Sequence, residues 1–344
     1  MRLLSVAVPI ALCWIDCSGG GGSSATVASA TTSGSTSASP SPAASASATT
    51  SAYVGAYKSA AWQSSAVTVK VSGSCSLTLT TTGVPPYHNA YYLAPVSTEY
   101  PTAVAVTPVS GTEMSVIPYT PSAITSATVT LNTCPTKASS ATSTNMGPIG
   151  YLISGEAIYN PYEGNGEEIP ALSDNVSYTF TANGVSQTAS FIDACSSHPT
   201  PLTVGYTWHH HGNPTCLAAQ IDGTSGPSHL LGIALDGYPI YGGRDINGNV
   251  VSATQLDACN GITSPTPEFP NGAYHYVLPI GVTGKQSSLN CYTGVVSQAQ
   301  LAAQSRYVCG LDALNRRLQA AARVARRRKT AYDASFERVR VERS

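Results

Sequence analysis

The chain has 344 residues, 17 basic and 18 acidic, with a formal net charge of −1 and only 10% charged residues. That length holds one large domain or two ordinary ones with a sizeable core. Richness in Gly, Pro, Ser, Thr, Val and Tyr, with only four Phe, favours short strands joined by turns over helices.

The charge is unevenly spread: residues 311–344 carry ten Lys/Arg and four Asp/Glu, leaving a mildly acidic body of seven basic and fourteen acidic groups. Such a body gives no electrostatic case for nucleic acid, so no nucleic-acid partner is expected.

Residues 1–17 read as an export signal, with Arg2 as the positive end and an apolar stretch from Leu3 to Ile15 too short for a stable membrane span. Cys17, followed by Ser18 and a glycine run, resembles a bacterial lipoprotein start, although Asp16 stands where such sites favour a small residue. A lipid anchor at Cys17 would be the chain's one membrane contact. Residues 18–52, almost all Gly, Ser, Ala, Thr, Pro and Val without a charge, read as a disordered linker.

The body is expected over 53–295. Val67-Thr68-Val69-Lys70-Val71, Ser76-Leu77-Thr78-Leu79-Thr80 and the run from Ala123 to Leu131 alternate as strands do. Gly83-Val84-Pro85-Pro86 punctuates them as a turn, residues 101–121 read as a proline-rich irregular run, and no sustained helical period is seen before residue 296.

An internal repeat follows, over 147–216 and 229–294. Gly150 to Tyr159 and Gly232 to Tyr241 share the form G-x4-G-x2-I-Y. Each copy continues with Asp-Ala-Cys (Asp193-Ala194-Cys195; Asp257-Ala258-Cys259), then an aromatic–His pair (Trp208-His209; Tyr274-His275), then a cysteine, Cys216 or Cys291. The expected architecture is mainly β, two related units forming one disulfide-stapled body. The units are expected to face each other with their histidine strands near a pseudo-twofold axis. Residues 296–344 read as a helical or disordered basic tail.

Of nine cysteines, six lie in this body: Cys75, Cys134, Cys195, Cys216, Cys259 and Cys291. An even six suggests three disulfides in an oxidising compartment. The preferred pairing is Cys75–Cys134, Cys195–Cys216 and Cys259–Cys291, with the others open. The expected location is the periplasm, the outer membrane surface or the cell exterior.

Gly237-Tyr238-Pro239-Ile240-Tyr241-Gly242, Leu256-Asp257-Ala258-Cys259-Asn260-Gly261, Gly272-Ala273-Tyr274-His275-Tyr276 and Cys291-Tyr292-Thr293-Gly294 together resemble the YHYH-domain proteins, exported bacterial proteins named for a Tyr-His-Tyr-His motif. The resemblance runs from about Tyr53 to Gly294 and implies export but no particular reaction. The motif is degenerate here: Val277 replaces its last histidine, and the first copy reads Trp208-His209-His210-His211.

His209 and His211, two residues apart on a strand, share a face. With His275 from the partner unit they are the expected ligands of a transition metal, copper or zinc, or the contacts of a small polar ligand. His198 and Asp236 are candidates to complete or orient the set, Asp193 and Asp257 to fix the histidine tautomers. Tyr274 and Tyr276 belong to the same cluster or to the core. Two other readings stand beside this one: an extracytoplasmic hydrolase using the same His/Asp cleft, and a non-catalytic surface-binding module. Glu163, Glu167 and Glu168 read as a solvated loop.

Overall fold

A computed structural model describes residues 50–301 apart from 73–74, 96–103, 107–113, 164–169, 174, 201–205 and 298. The export signal, nearly all of the linker, Cys17, Glu167, Glu168, Cys309 and the tail beyond residue 301 lie outside the described residues.

In chain order, helix α1 (Thr50–Ser59) precedes strands β1 (Val67–Ser72), β2 (Ser76–Thr81), β3 (Tyr91–Pro95), β4 (Val104–Val106), β5 (Met114–Pro118), β6 (Ala127–Asn132) and β7 (Lys137–Ser143). Then come β8 (Gly150–Leu152), β9 (Ala157–Ile158), β10 (Ser177–Ala182), β11 (Val185–Ser190), β12 (Ser197–Pro199) and β13 (Trp208–His210). Helix α2 (Thr215–Asp222) leads to β14 (Leu230–Ala234), β15 (Pro239–Tyr241), β16 (Gly261–Ser264), β17 (Ala273–Val277) and β18 (Cys291–Gly294). The strands form sheets ordered β1-β2-β6, β10-β11-β3-β5-β4, β18-β7 and an eight-stranded β12-β13-β9-β8-β14-β15-β17-β16. The protein is mainly β, and a helical turn at 299–301 is the last described element.

The eight-stranded sheet is the frame. Strands β8, β9 and β12 to β15 are buried at every position, and β12 and β13 bury histidines among them. Val67, Leu77, Leu79 and Leu131 from β1-β2-β6, with Tyr53, Ala56 and Tyr57 of α1 and Leu217 of α2, join Leu152, Ile158, Ile233 and Ile240 of this sheet in one core cluster. Each such fully buried aliphatic side chain contributes roughly 1.5–3 kcal/mol.

The strand order of this sheet is its own mirror under exchange of the two repeats. Strands β8, β9, β12 and β13 correspond to β14, β15, β16 and β17. The central antiparallel pair sets Gly150 against Ala234, Tyr151 against Ile233 and Leu152 against Gly232, so the local twofold passes between Tyr151 and Ile233. The glycines of G-x4-G explain themselves here. A Cβ at Gly150 would sit 2.7 Å from the Ile233 carbonyl oxygen, and one at Gly232 2.5 Å from that of Tyr151. The second glycines, Gly155 and Gly237, turn with φ of 99° and 92°.

This corrects one expectation. The halves lie side by side in one sheet, and the axis runs between β8 and β14, not beside the histidine strands. Strands β13 and β17 sit toward opposite ends with β9, β8, β14 and β15 between them, on the order of 20 Å apart at about 4.8 Å per strand.

Two further features depart from the sequence reading, and the disulfides agree with it. Helix α1 opens at Thr50 and buries Tyr53, Ala56 and Tyr57, while α2 buries only Leu217, too narrow a stripe to show as a helical period. The irregular run at 101–121 contains β4 and β5. The three disulfides join Cys75 to Cys134, Cys195 to Cys216 and Cys259 to Cys291, the preferred pairing.

Candidate metal centre

The first half gathers three imidazoles. Strands β12 and β13 are antiparallel with His198 directly opposite His209, and directly opposed residues share a face. Period-two alternation carries His211 to that face as well. His211 Nε2 lies 3.1 Å from His198 Nε2 and 3.0 Å from His209 Nε2. The three offer ligand atoms that all lie within 4.8 Å of one another. Glu163, just beyond β9, brings Oε1 to 2.9 Å from His198 Nε2 and 3.2 Å from His211 Nε2.

The ring orientations are set by backbone carbonyls. His209 Nδ1 lies 3.0 Å from the Thr207 oxygen and His211 Nδ1 2.7 Å from the Asn160 oxygen. A carbonyl only accepts, so in the neutral ring each Nδ1 carries the proton and each Nε2 presents a lone pair. Two proton-free Nε2 atoms 3.0 Å apart repel unless a cation lies between them. In a tetrahedral site with metal–nitrogen bonds of about 2.0–2.1 Å, donor atoms are about 3.3 Å apart. The two spacings that His211 Nε2 makes are close to that.

The surroundings bury the cluster. Tyr159 stacks on His209 with ring centroids 3.8 Å apart, and Phe191 meets His198 edge-on at 4.7 Å. All three histidines are buried. Burial, then the neighbouring His198 and His211, holds the His209 pKa well below the ordinary histidine value. Burial alone would raise Glu163, but His198 and His211 outweigh it and keep the carboxyl well below its usual range. Glu163 Oε1 is buried and receives no hydrogen bond of proper geometry despite lying against two imidazoles.

The sequence-derived candidates divide as follows. His209 and His211 come together; His275 does not join them. It is buried on β17, its Nδ1 2.9 Å from the Ala273 oxygen and its ring edge-on to Tyr241. His198, expected as a supporting residue, is a full member of the cluster. Glu163, expected in a solvated loop, lies against His198 and His211 instead. His198 was detectable only by pairing the residues after Cys195 with those after Trp208; no local signal marks Glu163.

The remaining candidates have structural roles. Asp193 accepts the amides of Cys195 and Ser197 at 2.8 and 2.9 Å, and Asp257 those of Cys259 and Gly261 at 2.9 and 2.8 Å. They cap equivalent turns and touch no histidine tautomer. Trp208 Nε1 donates to Ser197 Oγ, which donates to Asp193, while Tyr274 donates directly to Asp257 at 2.9 Å. Asp236 accepts from the Tyr276 hydroxyl at 2.5 Å and from the Gly294 amide at 2.8 Å, in the second half. The shared His/Asp cleft of the hydrolase reading is therefore not formed by Asp236.

The second half repeats this geometry without its ligands. Strands β16 and β17 pair with Ile262 opposite His275. The two registers thus equate His198 with Ile262, His209 with His275 and His211 with Val277. No curated protein and no solved structure matches the chain. The family model described as YHYH protein matches residues 128–253 and 244–294, a span that includes both histidine strands, both Asp-Ala-Cys turns, the three clustered histidines and Glu163. The chain belongs to the YHYH protein family.

Proposed function

We propose that this protein is an extracytoplasmic metal-binding protein that holds one transition-metal ion, copper or zinc, through His198, His209 and His211, with Glu163 beside them. The observation that carries the reading is the convergence of three buried imidazoles within 4.8 Å of one another, His211 Nε2 lying 3.0–3.1 Å from the other two, with Glu163 Oε1 2.9–3.2 Å from His198 and His211. Imidazole suits both metals, and a carboxylate partner lowers the charge of the bound ion. Three imidazoles with a carboxylate beside two of them are a donor set that zinc accepts.

The three disulfides support an oxidising compartment. The partner is the ion itself; attachment to a membrane would come only through a lipid on Cys17.

The test is metal analysis of protein purified without a histidine tag, followed by zinc and copper titration of the chelator-treated form. One equivalent is expected, lost in His209→Ala and His211→Ala. A wild-type protein that fails to take either ion from a weak chelator would overturn the reading.

A further inference from the structure

The metal centre rests on a segment that the ligand-bearing half does not supply. Ser287 Oγ donates to the His211 carbonyl at 2.8 Å, and Ser288 Oγ donates to the Tyr159 carbonyl at 2.6 Å. Both serines have no exposed surface. Tyr159 is the ring stacked on His209, and the next carbonyl, that of Asn160, accepts the His211 Nδ1 proton. The two hydroxyls therefore grip the two stretches of backbone that aim His209 and His211. Gly212 lets the segment approach: a Cβ there would meet the Ser287 carbonyl oxygen at 3.1 Å and the Leu172 side chain at 2.7 Å.

The segment is anchored on the opposite side by the second half. Asn260 Nδ2 donates to the carbonyls of Gln286 at 2.7 Å and Ser288 at 3.1 Å. Asn260 follows Cys259, whose disulfide to Cys291 closes the same segment. It also occupies the position equivalent to Ser196, both with left-handed φ, 65° and 67°. The half that has Ile262 and Val277 at the ligand positions thus carries an amide-braced support where the first half carries ligands.

We propose that Ser287 and Ser288 are positioning residues of the metal centre, and that the second half acts as its buttress. The proposal rests on the metal reading above. A hydroxyl lost here removes no ligand; it releases the backbone whose carbonyl fixes the His211 tautomer and aim. Outer-shell partners of this kind are worth about 10–100-fold in metal affinity.

The experiment compares Zn2+ affinity, by competition with a chromogenic chelator, and the visible spectrum of the Co2+-loaded protein. The variants are Ser287→Ala, Ser288→Ala and Asn260→Gly, the last removing the brace at a distance while tolerating the left-handed backbone. Tyr57→Phe is the control, since it deletes a buried hydroxyl-to-carbonyl bond to Gly237 away from the site. The serine variants are expected to bind one Zn2+ about 10–100-fold more weakly with a shifted Co2+ spectrum. Asn260→Gly should move both readouts the same way, and Tyr57→Phe should lower Tm but leave both unchanged. If Ser287→Ala does not fold, Ser288→Ala and Asn260→Gly carry the test. Unchanged affinity and spectrum in folded variants, with wild type binding normally, would overturn the buttress alone. A wild type that binds neither ion would overturn the metal reading and this one with it.

Discussion

His209 and His275 stand at the same point of the two halves. Each directs Nδ1 to the carbonyl two residues before it, at 3.0 and 2.9 Å, and each is buried. Yet the His209 Nε2 meets that of His211, while the His275 ring meets Tyr241. The expected stoichiometry is therefore one ion per chain, not two. His275→Ala should retain the full equivalent in metal analysis, and His209→Ala should lose it. Loss of metal on removing His275 alone would show that the site is drawn wrongly.

Acid should destabilise the metal-free protein through its buried neutral histidines. Burial pushes His275 from 6.5 down to about 4, partly offset by its bond to Ala273. A folded pKa below the unfolded value means the stabilisation is complete above pH 6.5 and is lost as pH falls toward 4. The shift corresponds to about 3 kcal/mol. Urea unfolding at pH 7 and pH 4.5 should show a smaller acid loss for His275→Gln than for wild type. Identical losses would contradict the neutral, buried imidazole.

Glu156 works in the opposite direction. Burial raises its pKa to about 7, the Ser154 hydrogen bond opposing and Asp193 adding to the rise. Its folded pKa exceeds the unfolded value near 4.5, so stability present below pH 4.5 falls as pH rises through 7. Glu156→Gln should stabilise the chelator-treated protein at pH 8 by about 1–3 kcal/mol, with the gain disappearing at pH 4. A gain equal at both pH values in denaturant titrations would mean the carboxyl is not the titrating group.

The Cys195–Cys216 bond closes a loop of 21 residues that contains all three histidine donors. Its removal in Cys195→Ser/Cys216→Ser should lower stability by about 3 kcal/mol and weaken Zn2+ binding. Cys75→Ser/Cys134→Ser removes the bond beside β2 and β6 and should cost comparable stability with the metal affinity retained. Thermal melts and chelator competition on both pairs separate the two effects; equal loss of affinity in both would remove the loop's special role.

Local rules made part of this molecule readable from the residues alone. Alternation in β1, β2 and β6 follows from one buried face, and the period of two places His209 beside His211 wherever that strand lies. The duplicated glycines are legible because a close backbone approach and a left-handed turn each demand them. Helices α1 and α2 were not legible, since Tyr53, Ala56 and Tyr57 span little more than one turn and Leu217 stands alone, too short a run for a sustained period.

The site as a whole depended on tertiary structure. His198 enters because β12 pairs with β13 in one register, and a slip of one residue would send its ring to the other face. Glu163 enters from beyond β9, and His275 is removed by the four strands between β13 and β17. Residue order along the chain determines which side chains share a face of one strand. Which strands become neighbours is decided by nonlocal pairing and burial, and those choices set the composition of the cluster.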